Sequence, residues 1–204
     1  MFTGFAGKPD VGYREPVGDQ VVKDAKYWLP IMALWHGCRM EEIGGAKLAE
    51  LKFIDGVQHF DWLDRKLKSD EGSRLVPIHP KMRELGFFDY VAERRKAGDT
   101  YLFPELPHDP TDLKKGTAQF GKWWGRWCDA HGFLDTGVDF HAFRHTFIEA
   151  CRGKMDEETR DFIVGHKGQG SMGRSYGGAP LRVLADALAL VDFPTFQKPT
   201  ASGS

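Results

Sequence analysis

The sequence predicts a mainly α-helical domain carrying one small antiparallel β-sheet, an α+β class. Apolar residues recur at helical spacing in residues 21–35, 80–96, 112–131, 141–153, 156–164 and 180–191, whereas between residues 51 and 78 the period falls to two. With 204 residues, 41% of them hydrophobic and 28% charged, the chain can close one core, which excludes a disordered protein.

In residues 21–35 Val22, Ala25, Trp28 or Leu29, Met32 and Trp35 mark one helical face, and Asp24 in the first turn suits the helix dipole. Pro30 inside this stretch predicts a kink or a break, and the stretch is read as one helix. Gly37 closes the helix, Arg39 follows, and a short helix from about Met40 leads to Gly44 and Gly45, so Arg39 sits at a helix junction. LKFIDGVQHFDWL, then the polar KLKSDEGS, then RLVPI read as a meander, with Asp55-Gly56 as one tight turn and residues 69–72 as another. The later helical segments complete a helical domain with its sheet in the N-terminal third. Gly, Pro and charge without periodicity at the start, and small polar residues at the end, predict a flexible segment 1–20, a domain over 21–192 and a flexible tail 193–204.

Composition narrows the function. No apolar run approaches the ~18 residues needed to cross a bilayer and the start lacks a signal-peptide pattern, so a cytoplasmic protein with no membrane partner is expected. Cys38, Cys128 and Cys151 have no CxxC spacing, which points to free thiols rather than a disulfide framework or zinc knuckle. A formal charge of −1 and a pI of about 6.7 give no overall attraction to nucleic acid, so an anionic partner needs a local patch. The clearest surplus lies in residues 65–96, with nine Lys or Arg against five Asp or Glu, read as a hairpin and helix tracking a phosphate backbone. The aromatic run GKWWGRWC has helical spacing, which favours core packing over a base-stacking platform.

HAFRH puts His141, Arg144 and His145 at the start of a helix, and GHKGQGSMGRSYGG places His166 after a helix end, with Tyr176 ten residues on in a Gly-rich loop. Singly, each has an ordinary structural explanation as a cap, a core histidine or a surface aromatic. His141 and His145 have the i,i+4 spacing of a zinc helix, but Arg144 stands where the glutamate base would be needed and no third ligand is spaced nearby, so a metal is not expected. Together, the planar forks of Arg39 and Arg144, the ring nitrogens of His141 and His166 and the amine of Lys68 at a hairpin tip suit a phosphate clamp. Tyr176 is the remaining nucleophile, which points to a covalent phosphotyrosine.

On these residues the chain resembles the catalytic domain of the tyrosine recombinases, the phage integrase family. GCRMEE matches the family's first-arginine motif at Arg39 and Glu42, and KSDEGSRLVPI matches the lysine hairpin at Lys68, chosen over Lys66 by alignment to Val76-Pro77. HAFRHTF matches the His-x-x-Arg helix, VGHK the Gly-His step, and Tyr176 the nucleophile, in the family's order over residues 21–191. Gly37-Cys38 replaces the usual Thr-Gly, and Val164 the usual Leu.

The resemblance implies an integrase catalytic-domain fold and site-specific recombination of double-stranded DNA through a 3′-phosphotyrosyl intermediate, with no cofactor. Arg39 and Arg144 would neutralise the phosphate, Lys68 protonate the leaving 5′-oxygen, His141 and His166 assist, and Glu42 buttress the first arginine's helix. It also implies a homo-tetramer on DNA. The isolated chain, which starts too late to hold the family's N-terminal domain, is expected to be a monomer. The apolar stripe Leu181, Leu184, Leu188 and Val191 would then either fold back onto its own domain or dock on a neighbouring subunit. Two other functions remain open on the same residues: a type IB topoisomerase-like nicking and resealing enzyme, and a non-catalytic DNA-binding relic.

Overall fold

The first helix, α1 (Ala25–His36), begins where Asp24 Oδ1 accepts from the backbone N–H groups of Lys26 (2.9 Å) and Tyr27 (3.3 Å). Asp24 is therefore the N-cap and not a first-turn residue, and the helix starts later than the apolar spacing suggests. The computed structural model describes residues 22–65, 73–109, 112–133, 139–166 and 179–193. The segment 1–20, nearly all of the tail, the turn at 69–72, Lys66, Lys68 and Tyr176 lie outside them.

Pro30 neither breaks nor ends α1. A proline in a helix interior forfeits one backbone bond, and here Trp28, Leu29, Met32, Ala33 and Trp35 are all buried, so core packing outweighs that loss. Gly37 ends α1 in the left-handed conformation (φ 63°) and its N–H donates to Ala33 O. Two residues later α2 (Met40–Gly44) starts with Glu42 Oε2 accepting from the Arg39 N–H at 2.8 Å.

A short 3₁₀ turn, Leu48–Glu50, leads into a three-stranded antiparallel sheet, β1 (Leu51–Ile54), β2 (Val57–Asp61) and β3 (Leu75–Pro77), in the order β1-β2-β3. Leu51 faces Phe60 and His59 faces Pro77. The β1–β2 turn is Asp55-Gly56, with φ of 49° and 79°, the mirror-image geometry that fits strand twist.

Residues 80–96 do not form one helix. Gly86 (φ 82°) divides them into α3 (Pro80–Glu84) and α4 (Phe87–Lys96), and because Met82, Phe87, Tyr90 and Val91 all enter the core, the spacing runs on across the break. Beyond it lie α5 (Leu113–Ala130), α6 (Ala142–Ala150), α7 (Glu157–Val164, closed by Gly165 at φ 70°) and α8 (Ala179–Leu188). The described chain is thus mainly helical with a small antiparallel sheet, and none of its helices is long and apolar enough to cross a membrane.

Two apolar clusters hold these elements. The larger joins α1, the sheet, α4 and α5 through Trp28, Phe60, Trp62, Phe87, Phe103 and Phe120. Trp124 is buried in it and Trp123 and Trp127 pack against it, so the aromatic run of α5 serves the core. The smaller cluster gathers Phe147 of α6, Ile163 and Val164 of α7, and Leu184, Leu188 and Val191. The stripe on α8 is thereby buried against its own chain. Phe193, the first residue of the expected tail, packs edge-on against Trp35 at 4.9 Å. Cys38, Cys128 and Cys151 are buried and unpaired.

Two buried imidazoles fasten the end of α8 to this frame. Lys81 N–H donates to His79 Nδ1 (3.0 Å), leaving His79 Nε2–H to donate to Val191 O (2.9 Å). His36 Nε2 accepts from the His79 backbone N–H (3.0 Å) while its Nδ1 faces Met32 O at 3.0 Å. Burial, with His79 adding to it, pushes the His36 pKa down to about 3. The unfolded chain takes up this proton near pH 6.5 and the folded chain does not, so stability falls as pH drops from 6.5 towards 3, by up to a few kcal/mol. His36→Gln keeps an acceptor for the His79 N–H but cannot titrate. Its melting temperature should fall less steeply than the wild type's between pH 7 and 5, and parallel curves would contradict the assignment.

Candidate active site

Where α6 crosses α1, the first turn of α6 carries Arg144 into the interior, with 2% of its surface exposed. Its Nη1 donates to Gly37 O (2.7 Å) and Val164 O (2.6 Å). One carbonyl belongs to the C-cap of α1 and the other to the last residue of α7. Two helix C-termini therefore converge on one guanidinium, which satisfies their unpaired carbonyls and complements their dipoles.

Beside it lies Glu42, also 2% exposed. Arg74, just before β3, forks onto both its oxygens at 2.9 and 3.0 Å. The Arg39 guanidinium approaches Oε1 at 3.3 Å. Burial alone would raise the carboxyl's pKa, but Arg74 and the Arg39 groups outweigh it and hold Glu42 down to about 2. Arg65 completes the ring from outside, donating Nη1 to Glu42 O at 2.7 Å while its Nε and Nη2 grip Glu50. Both described ends of the connection that carries Lys68 are thus fastened to Glu42, by Arg65 and by Arg74.

The charges do not balance. Arg39, Arg74 and Arg144 surround one carboxylate, and burial, then Arg39, push the Arg144 pKa down to about 10, which still leaves it charged at neutral pH. His141 is exposed at the N-terminus of α6, and its pKa is lowered by partial burial, by His145 and Arg144, and more weakly by Arg39. Arg39, His141 and Arg144 therefore share one positive field. Within it, Arg144 Nη2 is buried with no hydrogen-bond partner among the described residues. Such a donor calls for an acceptor, and the excess charge calls for an anionic one.

Arg39 and His141 also line an open cleft of about 710 Å³, whose wall includes Cys38, Met40, Trp124 and Phe140. Burial pushes the Cys38 thiol up to about 11, so at neutral pH it is a protonated wall residue and not a nucleophile.

Of the residues singled out from sequence, Arg39, His141 and Arg144 are thus brought together. His166 follows the left-handed Gly165 as expected, but its ring is exposed and faces Asp161 Oδ1 at 3.3 Å, an oxygen it shares with Arg160. It connects to the arginines through the chain, two residues beyond the Val164 carbonyl held by Arg144. Lys68 and Tyr176 fall outside the described residues.

Two features escaped the sequence reading. Arg74 was passed over, although it shares a strand face with buried Val76. The basic surplus of residues 65–96 is also largely engaged within the chain. Arg65 and Arg74 are paired as above, Arg83 bonds Gln58, Lys81 pairs with Glu84, Arg94 with Asp99, and Arg95 holds the Leu48 and Leu51 carbonyls.

Gly37 is closely packed beside the site. A Cβ there would overlap the Phe147 ring and lie 2.8 Å from Val164 Cγ1, on a backbone at φ 63°. Gly37→Ala should cost about 2–4 kcal/mol, from left-handed strain plus overpacking, read as a lower urea midpoint. An unchanged midpoint would mean that this junction is looser than described. No protein-family model matches this chain, and no curated protein or solved structure does either.

Proposed function

We propose that this chain is the catalytic domain of a tyrosine recombinase, with the integrase catalytic-domain fold, and that it cleaves and rejoins double-stranded DNA at specific sites. The observation that carries the reading is the unbalanced arginine cluster: a buried guanidinium edge of Arg144, unpartnered among the described residues, in the same positive field as Arg39 and His141, which line an open cleft. A phosphodiester supplies both things the cluster lacks, a negative charge and acceptor oxygens.

In this reaction the Tyr176 oxygen attacks the scissile phosphorus and the P–O5′ bond breaks, leaving a 3′-phosphotyrosyl bond and a 5′-hydroxyl protonated by Lys68. A 5′-hydroxyl from the partner duplex then attacks the same phosphorus and releases the tyrosine. Each step exchanges one phosphodiester for another, so no nucleotide cofactor is consumed. Arg39 and Arg144 hold the non-bridging oxygens as charge builds, and their fixed geometry is worth more than mobile charges would be. His141, whose lowered pKa keeps it neutral near pH 7, accepts the tyrosine proton, and His166 bonds the phosphate. Strand exchange takes place in a tetramer on DNA.

The burial of the α8 stripe in its own chain favours a second reading, a nicking and resealing enzyme that works as a monomer. Relaxation of a supercoiled plasmid without joining of two duplexes would select it.

The direct test incubates the protein with a pool of nicked duplexes of randomised sequence and scores protein covalently attached to DNA. Adduct is expected from the wild type and none from Tyr176→Phe, with DNA affinity nearly unchanged. Arg39→Lys, which leaves the Glu42–Arg74 pair in place, should slow adduct formation ~10²-fold or more, because a point charge does not replace a planar fork. Undiminished adduct in Tyr176→Phe would refute the mechanism.

A further inference from the structure

Four arginines meet at the α1–α2 junction, and they are not equivalent. Among the described residues Arg144 leaves its Nη2 without a partner, and Arg39 is partly exposed at the cleft. Arg74 is closed: its Nη1 and Nη2 take both oxygens of Glu42, its Nε donates to Ile163 O at 2.8 Å, and Nη2 also reaches the Cys38 sulfur at 3.8 Å. Its guanidinium lies over the Trp62 ring, 5.3 Å from the centroid. Burial works against its charge, yet Glu42 more than compensates, so its pKa is raised. Nothing in this arrangement offers Arg74 to a ligand.

Its effect on Arg39 follows from the geometry of Glu42. Oε1 receives Arg74 Nη1 at 2.9 Å and Arg39 Nη1 at 3.3 Å, and Oε2 receives Arg74 Nη2 at 3.0 Å and the Arg39 backbone N–H at 2.8 Å. Arg74 takes the bidentate position and Arg39 keeps one longer side-chain bond. A buried carboxylate without Arg74 would need another cation, and Arg39 is the nearest fork on the same turn. Captured bidentately, Arg39 would lose the charge and the edge that an anion needs.

We propose that Arg74 is the positioning residue of this anion site: by occupying Glu42 it keeps the Arg39 guanidinium free for the phosphate, and by holding Ile163 O it fixes the α7 end on which Arg144 is anchored. The phosphate's identity as a DNA phosphodiester rests on the function proposed above, but the positioning role does not.

The test uses the full chain, with inorganic phosphate as the probe, followed by calorimetry, and with the adduct assay run in parallel. Arg74→Gln should weaken phosphate binding about tenfold or more, the loss expected for a charge-assisted contact. Arg74→Gln combined with Glu42→Gln should recover most of that loss, because the carboxylate that captures Arg39 is gone. A purely structural arginine would leave the double variant no better than the single one. Melting temperatures of every variant establish that it is folded, and Arg74→Lys replaces Arg74→Gln if the latter is not. Wild-type affinity in the Arg74 variant, no recovery in the double variant, or no phosphate binding by the wild type would each overturn the proposal. Phosphate binding that follows the expected series, with no DNA adduct from the wild type, would instead reject recombination and leave the positioning role standing.

Discussion

A single buried carboxylate, Glu42, holds the site together. An ionised group 2% exposed is costly to desolvate, and removing one partner from such a pair destabilises far more than a surface ion pair ever contributes. The chain meets this demand by bringing Arg74 from the edge of β3, Arg39 from the start of α2 and, onto the Glu42 carbonyl, Arg65 from the end of β2. Two residues 23 and 32 positions further along the chain, Arg65 and Arg74, are thereby fixed to the turn of helix that Arg39 caps. The register of the sheet against α1 and α2 is set by charge as well as by the apolar core.

Arg144 adds the second half of the arrangement. Its guanidinium sits where the ends of α1 and α7 meet, bonded to carbonyls that no helix can satisfy internally. That placement lets a cation be buried without a carboxylate dedicated to it. The left-handed Gly37 makes the meeting possible, since any side chain there would strike Phe147 and Val164. The Arg144 charge is consequently held by main-chain carbonyls in the interior rather than displayed on the surface.

How far the sequence disclosed this depended on the range of each interaction. The α1–α2 junction, the Asp55-Gly56 turn and the end of α7 at Gly165 were legible because a cap or a turn is written in a few neighbouring residues. Arg39, His141 and Arg144 stood out as polar residues in apolar surroundings and are neighbours in space. Arg74 did not, because its partner is 32 residues away and the local pattern reads only as a strand start. Pro30 could be kept inside one helix because propensity is local and the burial of α1 is not. The split at Gly86 was hidden because two helices sharing one apolar face keep the spacing of one. The internal partners of Arg65, Arg83 and Arg95 were hidden for the same reason, since counting charges does not show which of them are already engaged inside the fold.

The central claim is that Arg39 and Arg144 form one phosphate site with an unfilled donor. A crystal structure of the protein soaked with vanadate or sulfate tests it most directly. The account expects one anion between the two guanidinium groups, with an oxygen about 3 Å from Arg144 Nη2 and another at similar range from Arg39. Guanidinium groups more than ~10 Å apart, beyond the span of one tetrahedral anion and its hydrogen bonds, or an anion bound only elsewhere, would contradict it.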